Sequence, residues 1–132
     1  MMIKPDCHLT KREAELMELF WSKSKPLTSV EILEFPEERS WKDNYLQIML
    51  RSLLKKGVLR VCGTVQYGTQ YARQFEPVLS KEEYVARTML DKGLEDMSLV
   101  KVMVAMVQDE GKANKEVLIE QLEEIIKELR GN

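Results

Sequence analysis

The stretch that decides the fold is "SWKDNYLQIMLRSLLKKG", residues 40–57. At about 100° per residue, its leucines and one methionine fall on one side of a helix, which predicts a face buried in a core. These residues are Leu46, Met49, Leu50 and Leu53. Ser40 stands where an N-cap residue is expected, and Gly57 stands where a left-handed C-cap residue is needed. The stretch therefore predicts one amphipathic helix that ends at a glycine.

The opposite face of this helix carries side chains of the kind that bond to nucleic acid. It has no acidic residue after Asp43, whereas a merely solvated face is usually rich in Glu and Lys. Amide, guanidinium and ammonium groups hydrogen-bond to base edges and phosphates. We predict base-edge contacts from Asn44, Gln47, Ile48 and Arg51. We predict phosphate contacts from Lys42, Tyr45, Ser52 and Lys55.

Two of these residues have other interpretations that the sequence leaves open. Ile48 is apolar, so it contacts either a thymine methyl group or a protein partner. Tyr45 either contacts phosphate or packs locally. Lys11 and Arg12, at the start of the first predicted helix of the chain, likewise either reach the DNA backbone or are simply solvated. The helix is thus a candidate recognition helix, and an idle solvated face is the alternative.

The neighbouring elements predict a winged helix. "LTKREAELMELFWSK" (9–23) and "KPLTSVEILEFP" (25–36) each begin with the Thr-x-x-Glu spacing of a capping box and predict two helices. "VLRVC" (58–62) and "YARQFEP" (71–77) predict strands, and "GTVQYGTQ" (63–70) predicts the turn between them. Three helices followed by a hairpin is the winged helix-turn-helix order. Gln66 and Tyr67 would then lie at the wing tip and contact DNA.

The sequence of the last part of the chain predicts helices whose apolar surface must be buried against another element. "SKEEYVARTMLDKG" (80–93) starts with a third capping box, "LVKVMVAMV" (99–107) is apolar almost all round, and a last helix starts near Asn114. Such helices either fold back on the first part or pair with a second copy, and we predict a homodimer. The predicted interface residues are Val102, Met106, Leu118, Leu122, Ile125 and Leu129.

Composition excludes several classes of protein. The single histidine and two distant cysteines among 132 residues predict neither a catalytic triad nor a metal site, so we expect no enzyme and no cofactor. The chain has no apolar run that could span a membrane and no secretory start, so we expect a cytoplasmic protein without membrane insertion. Residues 1–75 carry 12 Lys and Arg against 9 Asp and Glu, whereas residues 76–132 carry 8 against 13. This asymmetry predicts a division of labour between the two parts.

These elements together resemble the penicillinase-repressor family, from about Leu9 to Arg130. "LTKREAELMELFW" resembles its first helix, "SWKDNYLQIMLRSLLKKGVL" its recognition helix, and "YARQFEP" followed by "SKEEY" its second wing strand and linker. The resemblance implies a mostly α fold with a small β-hairpin: a winged-helix DNA-binding domain at 1–78 and a helical dimerisation domain at 79–132. It also implies a repressor that binds a double-stranded DNA operator, with a membrane sensor protease system among its partners.

The sequence departs from that family's pattern at several sites. The family commonly has threonines at Tyr45 and Ile48 and an arginine at Ser52, whereas here the arginine stands one place earlier, at Arg51. Induced members are cleaved at an Asn–Phe bond, and the corresponding place is about Ala105–Met106. We therefore carry over neither the family's operator sequence nor its proteolytic switch. The alternative function is a winged-helix protein–protein interaction module without sequence-specific DNA binding.

Overall fold

The predicted winged-helix order is present in the structure. The computed structural model describes residues 5–93, 98–110 and 115–131, with the side chains of 106–110 and 115 left out of the description. The helices are α1 (Lys11–Lys23), α2 (Ser29–Glu34), α3 (Leu46–Lys56), α4 (Lys81–Asp91), α5 (Leu99–Glu110) and α6 (Lys115–Leu129). The strands are β1 (Leu27–Thr28), β2 (Leu59–Tyr67) and β3 (Gln70–Pro77), in an antiparallel sheet of order β1–β3–β2. Within these ranges, no helix has the length and apolar character needed to span a bilayer.

All three predicted capping boxes form, at the starts of α1, α2 and α4. In each, the cap hydroxyl accepts from the backbone N–H three residues on, and the glutamate there accepts from the cap backbone N–H. The pairs are Thr10 with Glu13, Thr28 with Glu31, and Ser80 with Glu83. These hydrogen bonds satisfy backbone donors that have no partner inside the helix, which fixes where each helix begins.

The start of α3 differs from the prediction. A 3₁₀ turn, Asp43–Tyr45, precedes α3, and Lys42 before it makes no capping hydrogen bond. The prediction that Ser40 caps this helix is wrong, because the hydroxyl of Ser40 instead donates to Glu15 of α1 at 2.5 Å. The end agrees with the prediction, because Gly57 adopts the left-handed conformation (φ 76°) that favours a residue without a side chain.

The wing is longer than predicted, because β2 runs through most of the segment expected to be a turn. Gly63 lies at a β-bulge, where the register with β3 shifts, and the turn itself is only Gly68–Thr69. The short β1 was not predicted either. Two residues are too few to show the alternation that marks a strand, and β1 exists because Leu27 pairs with Phe75 and Thr28 pairs with Gln74.

The core lies where α1, α2, α3 and the base of the sheet meet. The whole predicted core face of α3 is buried, and Leu16, Met17 and Phe20 of α1 pack against it. Trp41, at the entrance to α3, is also buried. The core therefore holds α3 with one face inward and the opposite face free.

Replacing Leu50 by alanine should destabilise the protein by about 2–5 kcal/mol, because the buried side chain leaves a cavity that its neighbours fill only partly. Leu50 is 1% exposed. Denaturant melts of the two proteins would measure the difference. Ile48→Ala on the opposite face is the matched control, with an expected change within about 0.5 kcal/mol. Equal destabilisation by both substitutions would contradict the assignment of the two faces.

The chain divides into two compact units, the first ending at Asp91 and the second beginning at Lys92. The sequence placed a domain boundary at 78/79, before α4, whereas α4 belongs to the first unit. Its contacts explain this, since Tyr84 lies 5.2 Å from the Trp21 ring and Lys81 pairs with Glu18 at 2.9 Å. The indole N–H of Trp21 also donates to the carbonyl of Leu79.

Candidate nucleic-acid interface

The face of α3 opposite the core is an exposed, acid-free surface. Ile48 in its middle is 52% exposed, so an apolar side chain faces solvent among polar ones. The exposed residues of this outer face are Gln47, Ile48, Arg51 and Lys55, and we include with them the exposed Asn44 of the 3₁₀ turn that precedes α3. The core residues fix which way the face points, and the side chains on it remain available to a ligand.

The entrance to α3 adds positive charge to this surface. Asp43, in the 3₁₀ turn, pairs with Arg39, whose guanidinium also lies 4.7 Å from the Trp41 ring. Tyr45 is half-buried, and the guanidinium of Arg12 lies 5.3 Å above its ring. This contact brings the start of α1 to the start of α3. Arg12 therefore belongs with the exposed Lys42 as a cation beside the outer face.

Three of the predicted contact residues have hydrogen-bond partners within the chain. The hydroxyl of Ser52 donates to Glu13 of α1, on the flank of α3 instead of its outer face. The hydroxyl of Tyr67 bonds to that of Thr28 at 3.0 Å, which ties the end of β2 to the start of α2. The side-chain amide of Gln66 donates to the carbonyl of Gly68 at 2.9 Å within the wing. Tyr67 remains 40% exposed despite its hydrogen bond.

The wing itself contributes little positive charge. No Lys or Arg lies between Arg60 and Arg73. Arg60 pairs with Glu76 at 2.9 Å, and the guanidinium of Arg73 lies 5.3 Å from the Phe75 ring. The exposed cations on and beside the outer face of α3 are Arg12, Lys42, Arg51 and Lys55, and the segment between Arg60 and Arg73 adds none.

A buried carboxylate lies beneath this surface, between α1 and α3. Glu13 is 4% exposed and accepts from Lys56 at 2.6 Å, from the backbone of Thr10 at 2.9 Å and from Ser52. Burial is the largest influence on its pKa and would raise it, but the hydrogen bonds from Lys56, Ser52 and Thr10 together outweigh burial and lower the pKa. Glu13 is therefore an anion at neutral pH. The sequence showed Glu13 only as a capping residue.

No group of three His, Cys, Asp or Glu side chains in the described part of the chain is placed to hold a metal ion. Cys7 is buried, and Cys62 lies exposed on β2. Desolvation, with the nearby Glu76 carboxylate, raises the pKa of the Cys62 thiol, so this thiol is not an activated nucleophile.

The predicted dimer residues lie on α5 and α6 of the second unit. Val102, Leu118 and Leu122 are half-buried within the single chain, whereas Ile125 and Leu129 are 50% and 81% exposed. The side chain of Met106 lies outside the described residues. Helix α6 thus presents an apolar stripe that the chain itself covers only in part.

Comparison with known proteins gives one match. The family model described as "Penicillinase repressor" matches residues 9–128, nearly the whole chain. No curated protein and no solved structure matches. The match spans both units, including the outer face of α3 and the apolar stripe of α6.

Proposed function

We propose that this chain, which belongs to the penicillinase repressor family of transcriptional repressors, binds a two-fold DNA operator as a homodimer. The observation that carries the proposal is the outer face of α3. Two cations, two carboxamides and one apolar side chain are exposed together there, without an acid, on a helix whose opposite face is anchored in the core. Such a helix fits the major groove of B-DNA, where side chains of these types read base edges.

The position of each residue along α3 suggests its role. Recognition helices read bases mainly with their N-terminal residues. Asn44, Gln47 and Arg51 are therefore assigned to base edges, and Ile48 to a thymine methyl group. Lys55, in the last turn of α3, is assigned to a phosphate. Repression then follows from occupying the promoter region, without a chemical step.

A second function is favoured by a specific observation. Ile48 is 52% exposed in the middle of the outer face, and the wing between Arg60 and Arg73 has no basic residue. An exposed apolar residue beside a neutral wing also fits a winged-helix module that binds another protein. The two functions differ in whether α3 selects a DNA sequence.

Selection of binding sites from random double-stranded DNA separates the two functions. A repressor that works as proposed should enrich two related half-sites arranged with two-fold symmetry, about one helical turn or a multiple of it apart. The protein-interaction module should enrich nothing above the starting pool. A variant with Leu50→Ala, if it unfolds, serves as the control for background enrichment.

Arg51→Ala should weaken binding to the selected site by about 1–3 kcal/mol and relax the preference at one base pair per half-site, because a guanidinium pairs with two acceptors of guanine. Lys55→Ala is the comparison: it should weaken binding to all sequences alike, since a phosphate carries no sequence information. Ile48→Ala should act only on sites with thymine at the facing position. If folded Arg51→Ala and Ile48→Ala variants keep the site preference and the affinity of the wild type, α3 is not a recognition helix.

A further inference from the structure

We propose that Glu13 is a positioning residue for sequence reading: its carboxylate sets the rotation of α3 about its own axis, and so the direction in which Arg51 and Ile48 point. The consequence for DNA rests on the function proposed above. The positioning itself is a property of the free protein. The hydrogen bonds of Glu13 to α3 go to Ser52 and Lys56, which are not outer-face residues, so Glu13 acts through the helix it holds.

Both oxygens of the Glu13 carboxylate are used. One accepts from the ammonium of Lys56 at 2.6 Å and from the backbone N–H of Thr10 at 2.9 Å. The other accepts from the hydroxyl of Ser52. Glu13 is only 4% exposed, so water competes little for these hydrogen bonds. Charge-assisted hydrogen bonds of this kind are short and directional.

The two α3 anchors lie one turn apart on the same flank of the helix. At about 100° per residue, Ser52 and Lys56 point roughly a quarter-turn away from both the core face and the outer face. The apolar contacts of the core are not directional, so they tolerate a small rotation of the helix. A hydrogen-bonded carboxylate held on the flank does not tolerate it, because the rotation would carry both donors away from their acceptor.

Lys56 connects this carboxylate to the segment before α1. Its ammonium also donates to the carbonyl of His8 at 2.8 Å, and its own carbonyl accepts from the backbone N–H of Asp6 at 2.8 Å. The last turn of α3 is therefore held on one side by Glu13 and by the chain that leads into α1. Any movement of this carboxylate is transmitted to the helix.

Glu31 provides a matched control within the same chain. It occupies the same capping-box position in α2 that Glu13 occupies in α1, and it makes the same pair of hydrogen bonds with its threonine, Thr28. Its carboxylate also pairs with Lys25 at 4.0 Å, and its side chain is 30% exposed. Replacing Glu31 by alanine removes an equivalent cap without touching α3.

The test compares Glu13→Ala with Glu31→Ala by the ratio of affinity for the selected operator to affinity for mixed-sequence DNA. Glu13→Ala should lower this ratio about tenfold, the size expected for losing charge-assisted hydrogen bonds, whereas Glu31→Ala should leave it within about twofold. Glu13→Gln should restore most of the ratio, since its amide accepts from Lys56 and donates to Ser52. If Glu13→Ala does not fold, Ser52→Ala replaces it in the test. This variant keeps the capping box of α1 and should lower the affinity ratio by a smaller factor.

Backbone amide spectra of the free protein test the positioning of α3 without DNA, so their result does not depend on the proposed function. Glu13→Ala should shift the amide resonances of Gln47, Ile48 and Arg51 on the outer face of α3, and Glu31→Ala should not. Wild-type protein that selects no DNA sequence would defeat the repressor function, while these shifts would still decide whether Glu13 positions α3. Equal effects of Glu13→Ala and Glu31→Ala, in the spectra or in the ratio, would overturn the proposal.

Discussion

Raising the salt concentration from 50 to 200 mM should weaken operator binding by about 10³–10⁵-fold, if the dimer neutralises about 6–10 phosphates. Each chain supplies three candidate cations for phosphate contacts: Arg12, Lys42 and Lys55. Two chains then give about six phosphate contacts, because Arg51 is assigned to a base edge. We therefore expect a loss at the lower end of that range, about 10³-fold. Fluorescence anisotropy at several salt concentrations measures it.

Charge substitutions test the origin of this salt dependence. Lys55→Gln should lower the slope of log K against log salt by about 2 per dimer, one released counterion for each lost phosphate contact. Lys127→Gln removes the same charge from the polar side of α6, where the residue is exposed, and should leave the slope unchanged. Binding that ignores salt would favour the protein-interaction function.

The parts of the fold that sequence predicted are those set by local pattern. A capping box needs only a hydroxyl and a carboxylate three residues apart, and all three formed. The core face of α3 follows from its apolar spacing, and its end follows from Gly57. Each of these features is decided within one or two helical turns, so neighbouring residues carry the whole signal.

The parts that sequence missed depend on distant partners. Gly63 reads locally as a turn residue, but it lies at a bulge because β2 continues along β3. Ser40 reads as a cap, but Glu15 of α1 takes its hydroxyl. Ser52 and Tyr67 read as free polar groups, yet each bonds to a residue 39 positions away. No short-range sequence pattern indicates such contacts. The exposed residues of the candidate site were therefore predictable from sequence, whereas the residues that hold its elements in place were not.

The oligomeric state rests on a balance of two opposing terms. Helix α6 exposes Ile119, Ile125, Ile126 and Leu129 in the single chain. Removing such surface from water contributes about 25 cal/mol per Å², part of which offsets the freedom that two chains lose on association. Residues 76–132 carry 13 Asp and Glu against 8 Lys and Arg, so two copies repel each other weakly. The acidic side chains Glu120 and Glu123 lie away from the stripe, where water and salt screen them.

Placing two charges in this stripe, by Ile125→Glu and Leu129→Glu together, should convert the proposed homodimer to single chains. The two residues are 50% and 81% exposed, so their replacement should cost the single chain little of its own stability. Sedimentation at micromolar concentration should fall from about twice 15.4 kDa to 15.4 kDa.

Operator affinity should then fall by about 10²–10⁴-fold, because two linked half-site contacts become one, while the preference within each half-site persists. Lys127→Glu adds charge to the same helix outside the stripe and should leave the protein dimeric. A wild-type protein that sediments as a single chain would refute the dimer. A double variant that remains dimeric would instead place the interface elsewhere than on the α6 stripe, because two buried carboxylates facing their copies cannot be accommodated without a large desolvation cost.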